Sequence, residues 1–166
     1  MTAAAQPRFK PGRVYGIRDL ARWGANPTRL AERLVRELMS AFLRGGAFVF
    51  TGPDTWSALG LGSTALFAHQ LVYNTEWSGL FQFGNRRFLL RRVRVPRQPT
   101  PEWYAVDLIE NHESAGVALD EVEERLRGAV VAGRLRAEPL RIAANRFGSR
   151  ETRAVVTRAL ERAIDP

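Results

Sequence analysis

Residues 48–96 read FVFTGPDTWSALGLGSTALFAHQLVYNTEWSGLFQFGNRRFLLRRVRVP, and the fold is decided in this stretch. Phe48-Val49-Phe50 is a short apolar run stopped by Thr51-Gly52-Pro53, the pattern of a buried strand entering a turn. Leu71-Val72-Tyr73 is a second such run. Leu80 to Phe83 and Arg86 to Val95 flank Gly84-Asn85, and glycine at the first central position suits a two-residue II′ hairpin turn. In that register Phe81 faces Phe88 and Leu80 faces Leu89, so cross-strand aromatic and aliphatic pairs hold the hairpin. The chain on either side has helical patterning. These features predict an α+β fold: a small mixed β-sheet with a β-hairpin, packed by helices.

Working outward, residues 1–12 are small and proline-containing and are expected to be disordered. Ile17 to Trp23, the turn Gly24-Ala25-Asn26 and a second helix opening near Pro27 or Thr28 outline a helix-turn-helix-like segment over residues 13–38. In its second helix Leu30, Leu34, Leu38 and Phe42 recur every four residues, with Arg29, Arg33 and Arg36 largely turned away from them. Two readings stand: an amphipathic helix with a solvated basic face, or a recognition helix whose arginines meet phosphates or base edges. Arg36-Glu37-Leu38 runs directly into Met39 to Arg44, with no β-wing between. Two helices are therefore expected to fuse into one from about Thr28 to Leu43, leaving a truncated, wingless module.

Beyond Pro96, Arg97-Gln98-Pro99-Thr100-Pro101 is an extended linker. Thr100 is a plausible cap for a helix over Glu102 to His112, with Tyr104, Leu108 and Ile109 inward. Asp120, with Glu123 three residues on, has capping-box spacing for the next helix, whose apolar stripe is Val122, Leu126, Ala129 and Val130. Two further helices are expected, about Glu138 to Phe147 and about Arg150 to Ile164, with Ser149 as cap between them.

The chain has 166 residues, 45% of them apolar, enough for a real core. It has no cysteine, which excludes disulfides and thiolate metal sites, and only His69 and His112 as histidines. The N-terminus lacks the apolar core of a secretory signal, and Thr55 to Thr75 is too polar to span a membrane. A cytoplasmic location is the expectation. Net charge is +8 with a sequence pI near 11.2, and of 25 basic residues only Lys10 is a lysine. That balance favours acidic partners, nucleic acid above all.

No enzyme motif is complete. GPDTWSALGLG lacks both the phosphate-loop and the dinucleotide-fold spacing. There is no nucleophile elbow, and no lysine completes a nuclease motif around Pro53-Asp54. Asp107 and Asn111 share a helix face, which reads as a satisfied or solvent-facing surface. No catalytic, cofactor-binding or metal-binding residue is expected. Binding has more support: Arg86, Arg87, Arg91, Arg92, Arg94 and Arg97 lie within twelve residues. On an alternating strand Arg86, Arg92 and Arg94 share one face, and Arg87 and Arg91 the other. Such arginines suit phosphate, although charge on an edge strand also serves to block aggregation. Tyr73-Asn74-Thr75 and Trp77-Ser78-Gly79 read as turn geometry or as a recognition loop.

An ordered series of short motifs carries a family likeness: Ala47-Phe-Val-Phe-Thr-Gly52, Ala58-Leu-Gly-Leu-Gly62, Val72-Tyr-Asn-Thr75, Ser78-Gly79, Phe83-Gly-Asn-Arg86 with Phe88, Arg91-Arg92, and Val106-Asp-Leu108. Over about residues 40–160 the chain resembles AbiEi-type antitoxins and their transcriptional-regulator relatives, of type IV toxin–antitoxin (abortive infection) operons. The N-terminal stretch from Val14 looks like the start of that family's winged helix-turn-helix. The resemblance implies a non-enzymatic regulator in which residues 39–166 form the antitoxin domain. It also implies the operon's promoter DNA as a partner and a nucleotidyltransferase-like toxin as functional partner, with direct contact not required. DNA contact is then expected from Arg29, Arg33, Arg36, Arg86, Arg87, Arg91, Arg92 and Arg94. A protein-interaction antitoxin domain that has lost DNA binding is the alternative, and a metal-dependent nuclease built on Asp54 or Asp107 a distant third.

Overall fold

The computed structural model describes residues 27–44, 46–62, 69–83 and 86–164. Residues 1–12, expected to be disordered, the expected first helix of the helix-turn-helix-like segment and the expected Gly84-Asn85 turn lie outside the described residues. Six helices and four strands are described: α1 (Pro27–Phe42), β1 (Phe48–Thr51), α2 (Pro53–Ala58), β2 (Gln70–Asn74), β3 (Gly79–Phe83), β4 (Arg86–Arg92), α3 (Pro101–Glu110), α4 (Leu119–Val131), α5 (Ala137–Phe147) and α6 (Arg150–Ile164).

The strands form one mixed sheet in the order β1-β2-β4-β3. β1 pairs antiparallel with β2 and β3 antiparallel with β4, while β2 and β4 run parallel. The hairpin register matches the sequence reading, with Leu80 opposite Leu89 and Phe81 opposite Phe88. β4 therefore lies inside the sheet, and the edges are β1 and β3. Protection of an exposed edge does not account for its arginines.

Side-chain alternation splits the core in two. Val72, Phe88 and Leu90 pack with Val35, Met39 and Leu43 of the α1 layer, joined by Phe48, Phe50 and Phe81. Val49, Leu71, Tyr73 and Leu89 turn to the other face and join the larger core of the C-terminal helices. α1 crosses its face obliquely, with Arg36 over Phe50 of β1 and Phe42 against Trp77 and against Phe81 of β3. The single helix through residues 38 and 39 accords with the expected fusion, but its buried stripe is Val35, Met39 and Leu43. Leu34 is half-buried, Leu38 and Phe42 are 37% and 38% exposed, and the Leu30 side chain lies outside the described part. Both rows lie on one broad apolar arc; the sheet buries the Val35–Met39–Leu43 row and touches the other only at Phe42.

Local signals set most helix ends. Thr100 caps α3, accepting from the Trp103 N–H at 3.3 Å, and Pro101 occupies the first turn. Ser149 caps α6 through the Thr152 N–H at 3.1 Å. α4 departs from expectation. Its N-cap is Ala118, not Asp120, which occupies the second helical position. Glu123 closes no capping box. It turns inward, where Oε2 accepts from Arg158 Nε at 2.8 Å and Oε1 lies 3.0 Å from Arg162 Nη1, fastening α4 to α6. Removing a buried acceptor shared by two guanidinium groups outweighs what a capping box returns.

Met39 is 1% exposed, so Met39→Ala is expected to lower unfolding stability by about 2–5 kcal/mol. Leu38→Ala, one residue away on the uncovered row, costs less than about half of that. Urea unfolding of the two variants checks which row the sheet buries.

Candidate functional site

The site grows from the junction of β1, β2 and α3. β1 ends at Thr51, and the chain turns through Gly52 at φ 117°, a conformation that suits glycine, into Pro53 at the start of α2. That sharp turn brings both Thr51 and the fully buried Trp56 to Asp107 on α3. The Thr51 hydroxyl and the Trp56 indole N–H, the latter at 3.0 Å, donate to Asp107 Oδ2. Asn111, one turn further along α3, donates through Nδ2 to Asp107 Oδ1 at 3.0 Å and to the Tyr73 hydroxyl at 2.8 Å. Its Oδ1 accepts from Arg91 Nη1 at 2.8 Å.

Burial pushes the Asp107 carboxyl above the usual range, and hydrogen bonds with Thr51, Tyr73 and Trp56 and the nearby Arg91 charge only partly pull it back. Burial also raises the Tyr73 phenol, with the Asp107 charge adding to it. One helical turn beyond Asp107, Glu110 Oε1 accepts from the Ser149 N–H at 2.6 Å and from the Thr152 hydroxyl at the start of α6. Burial would raise Glu110, but these donors and the Arg153 charge hold it below the usual carboxylate range. The Asp107–Asn111 face is thus buried and satisfied.

The predicted arginines do not gather at one place. Arg33 pairs with Glu37 at 3.6 Å, both exposed, and the Arg36 guanidinium sits 5.5 Å over the Phe50 ring. Arg29 is exposed. Arg36 thus stands beside β1, two strand spacings or about 10 Å from β4. On β4 itself Arg86 and Arg87 stand at one end and Arg91 and Arg92 at the other, roughly 13 to 20 Å apart by strand rise, with Phe88, Leu89 and Leu90 between them. Arg91 is half-buried on the α3 side. Arg94 departs from the alternation expected of it: β4 ends at Arg92, the chain leaves the sheet, and Arg94 lines the same cleft as Arg91.

Two populations of arginine result. In the C-terminal helices Arg125, Arg127, Arg136, Arg141, Arg158 and Arg162 all pair with glutamates. Arg125 and Arg134 also hold the carbonyls of Leu61 and Leu59 at 3.1 Å. From Trp77 to Pro101 the chain has six arginines and no acidic residue. Among the described residues none of Arg86, Arg87, Arg91, Arg92, Arg94 and Arg97 has a carboxylate partner within ion-pair distance. The helical layer also stops short of β3, where Leu80 is 69% exposed beside Leu89. An open ledge bearing Arg87 therefore borders the basic strand.

The cleft at the C-terminal end of β4, of ≈ 180 Å³, is walled by Tyr73, Arg91, Arg94, Trp103, Glu110 and Phe147. Sequence reading found its arginines and missed the cleft, because its opposite wall comes from α3 and α5. Asn74 is buried and serves turn geometry: its Oδ1 accepts from the Glu76 and Trp77 N–H groups at 2.8 and 2.9 Å. Asp54 is exposed on α2, away from buried Asp107. Among the described residues no three His, Asp or Glu side chains stand close enough to hold a metal ion, and no helix is long and apolar enough to cross a membrane.

Compared with protein-family models, with curated proteins and with solved structures, the chain finds no match in any of the three.

Thr51→Val removes one donor from Asp107 and is expected to cost about 1–3 kcal/mol in urea unfolding, because the buried carboxylate loses a partner. For Glu110, whose folded pKa is depressed, wild type is stabilised relative to Glu110→Gln above the unfolded value of about 4.3. That difference shrinks as pH falls through the lower folded value; unfolding both proteins across the acid range checks the sign.

Proposed function

We propose that this chain is a non-enzymatic, AbiEi-like antitoxin and transcriptional regulator of a type IV toxin–antitoxin operon, and that it binds DNA through the arginines of β4. The family part of this reading rests on the motif series in the sequence. The binding part rests on one observation: six arginines in a stretch with no acidic residue, on and just beyond a strand interior to the sheet, have no carboxylate partner among the described residues. Exposed guanidinium groups without a carboxylate partner remain available for charge-assisted hydrogen bonds to a phosphate backbone. Arg86 and Arg92 project from one face of the sheet and Arg87 and Arg91 from the other, which fits a duplex or strand passing the strand ends better than a flat footprint. The Asp107 carboxylate has partners on both oxygens, which supports a structural role for it rather than a catalytic one.

Fluorescence anisotropy with duplex DNA from upstream of the operon tests this. Binding is expected at low salt, with log K falling by about 0.9 per phosphate contacted as log salt rises. Joint replacement Arg86→Glu, Arg87→Glu and Arg92→Glu is expected to weaken it by roughly tenfold or more without loss of fold. Absence of affinity at low salt overturns the reading. Loss of toxin neutralisation in that variant with DNA affinity unchanged moves the arginines to a protein partner.

A further inference from the structure

The cleft at the end of β4 has a chemistry more specific than a basic surface. Its two carboxylates already accept hydrogen bonds: Asp107 on both oxygens from Thr51, Trp56 and Asn111, and Glu110 on Oε1 from the Ser149 N–H and the Thr152 hydroxyl. Its two arginines have no carboxylate partner among the described residues. Of the five N–H donors on a guanidinium, Arg91 spends one on Asn111 Oδ1, and that bond restrains the group. Asn111 is itself locked by Asp107 and Tyr73, so Arg91 is held ready at little further entropic cost. Arg94 is exposed at the rim and forms no ion pair among the described residues. Phe147, half-buried, gives an apolar wall opposite.

At ≈ 180 Å³ the cleft is smaller than the roughly 300–1,000 Å³ of a site for a whole small molecule, so it takes one group of a larger ligand. Two guanidinium groups facing one opening match a terminal phosphate, which carries close to two negative charges and three acceptor oxygens; a single carboxylate would satisfy only one fork. We infer that this cleft binds a terminal phosphate monoester, such as the phosphorylated end of a nucleic-acid strand or a free nucleotide, with Arg91 and Arg94 as the ligating residues. This rests on the reading of β4 as a phosphate-binding strand and assigns one end of it to strand termini. Arg91 lies against the phosphate from the floor, Arg94 closes from the rim, and the attached sugar or base packs against Phe147.

The full chain is titrated with a short single-stranded oligonucleotide carrying a terminal phosphate and with the same strand ending in a hydroxyl, labelled at the far end. The phosphorylated strand is expected to bind roughly tenfold tighter. Arg94→Met, at an exposed position, removes that preference, whereas Arg97→Met, outside the cleft, leaves it. Inorganic phosphate and a nucleoside monophosphate are then added as competitors. Loss of the preference with inorganic phosphate assigns recognition to the phosphate alone; loss only with the nucleotide adds the Phe147 wall. Both support the cleft as the site. Equal affinity for the two strands, or competition by an acidic peptide in place of either phosphate, overturns the inference while leaving the β4 reading intact. Failure of both strands to bind at low salt overturns the inference, and only if the operon duplex also fails to bind does the β4 reading fall with it.

Discussion

Asp107 stands on α3 with its carboxylate turned into the sheet, and the arrangement of the layers depends on what meets it there. Thr51 brings the end of β1, Trp56 brings α2, and Asn111 carries the connection on to Tyr73 of β2 and Arg91 of β4. A buried acid costs several kcal/mol unless its oxygens are satisfied, so these donors are effectively obligatory. Each comes from a different part of the chain. The network therefore fixes where three strands and two helices lie relative to one another, a registration that apolar packing alone specifies loosely. It also explains the tight path at Gly52, since a wider turn would carry Trp56 away from the carboxylate.

Separate ion pairs hold the other charges that stay inside the fold. Six arginines of the C-terminal helical region pair with glutamates, and Arg125 and Arg134 reach the carbonyls after α2, with Glu102 and Glu123 taking arginines while almost fully buried; Arg146 lies over Phe147 and Arg153 donates to the Gly148 carbonyl. Burial pushes Glu102 upward, but its own backbone N–H, Thr100 and Arg136 together hold it below the ordinary carboxylate range. On β4 the arrangement is different. The three central residues are apolar and anchor the strand in both cores, while the arginines at its ends form no ion pair among the described residues, Asp107 and Glu110 lying near Arg91 without pairing with it. Positive charge left unpaired at the ends of an interior strand is what the proposed binding to an anionic partner uses.

Much of this was legible in the sequence, for local reasons. The hairpin register follows from the period-two pairing of Leu80 and Phe81 with Leu89 and Phe88 across a short turn, and the starts of α3 and α6 follow from Thr100 and Ser149. The parallel pairing of β2 with β4 was not legible, because no turn joins them and both are short apolar runs. α2 was not anticipated beyond the turn at Thr51-Gly52-Pro53, since six residues give no helical period to count. Glu123 was misread because a capping box and a long-range ion pair present the same local spacing, and only the position of α6 separates them. The arginine cluster was visible, but its division between two ends of β4, and the joining of Arg94 to Arg91, depend on where the strand stops.

The central claim is that the arginines of β4 and its exit, and not those of the helices, meet the anionic partner. The most direct measurement follows the side-chain Nε–Hε resonances of individual arginines by NMR during titration with DNA at low salt. The account predicts that Arg86, Arg87, Arg91, Arg92 and Arg94 shift and broaden while Arg127, Arg141 and Arg158, already paired with glutamates, stay in place. Shifts confined to the helical arginines, with those of β4 unmoved, would contradict it.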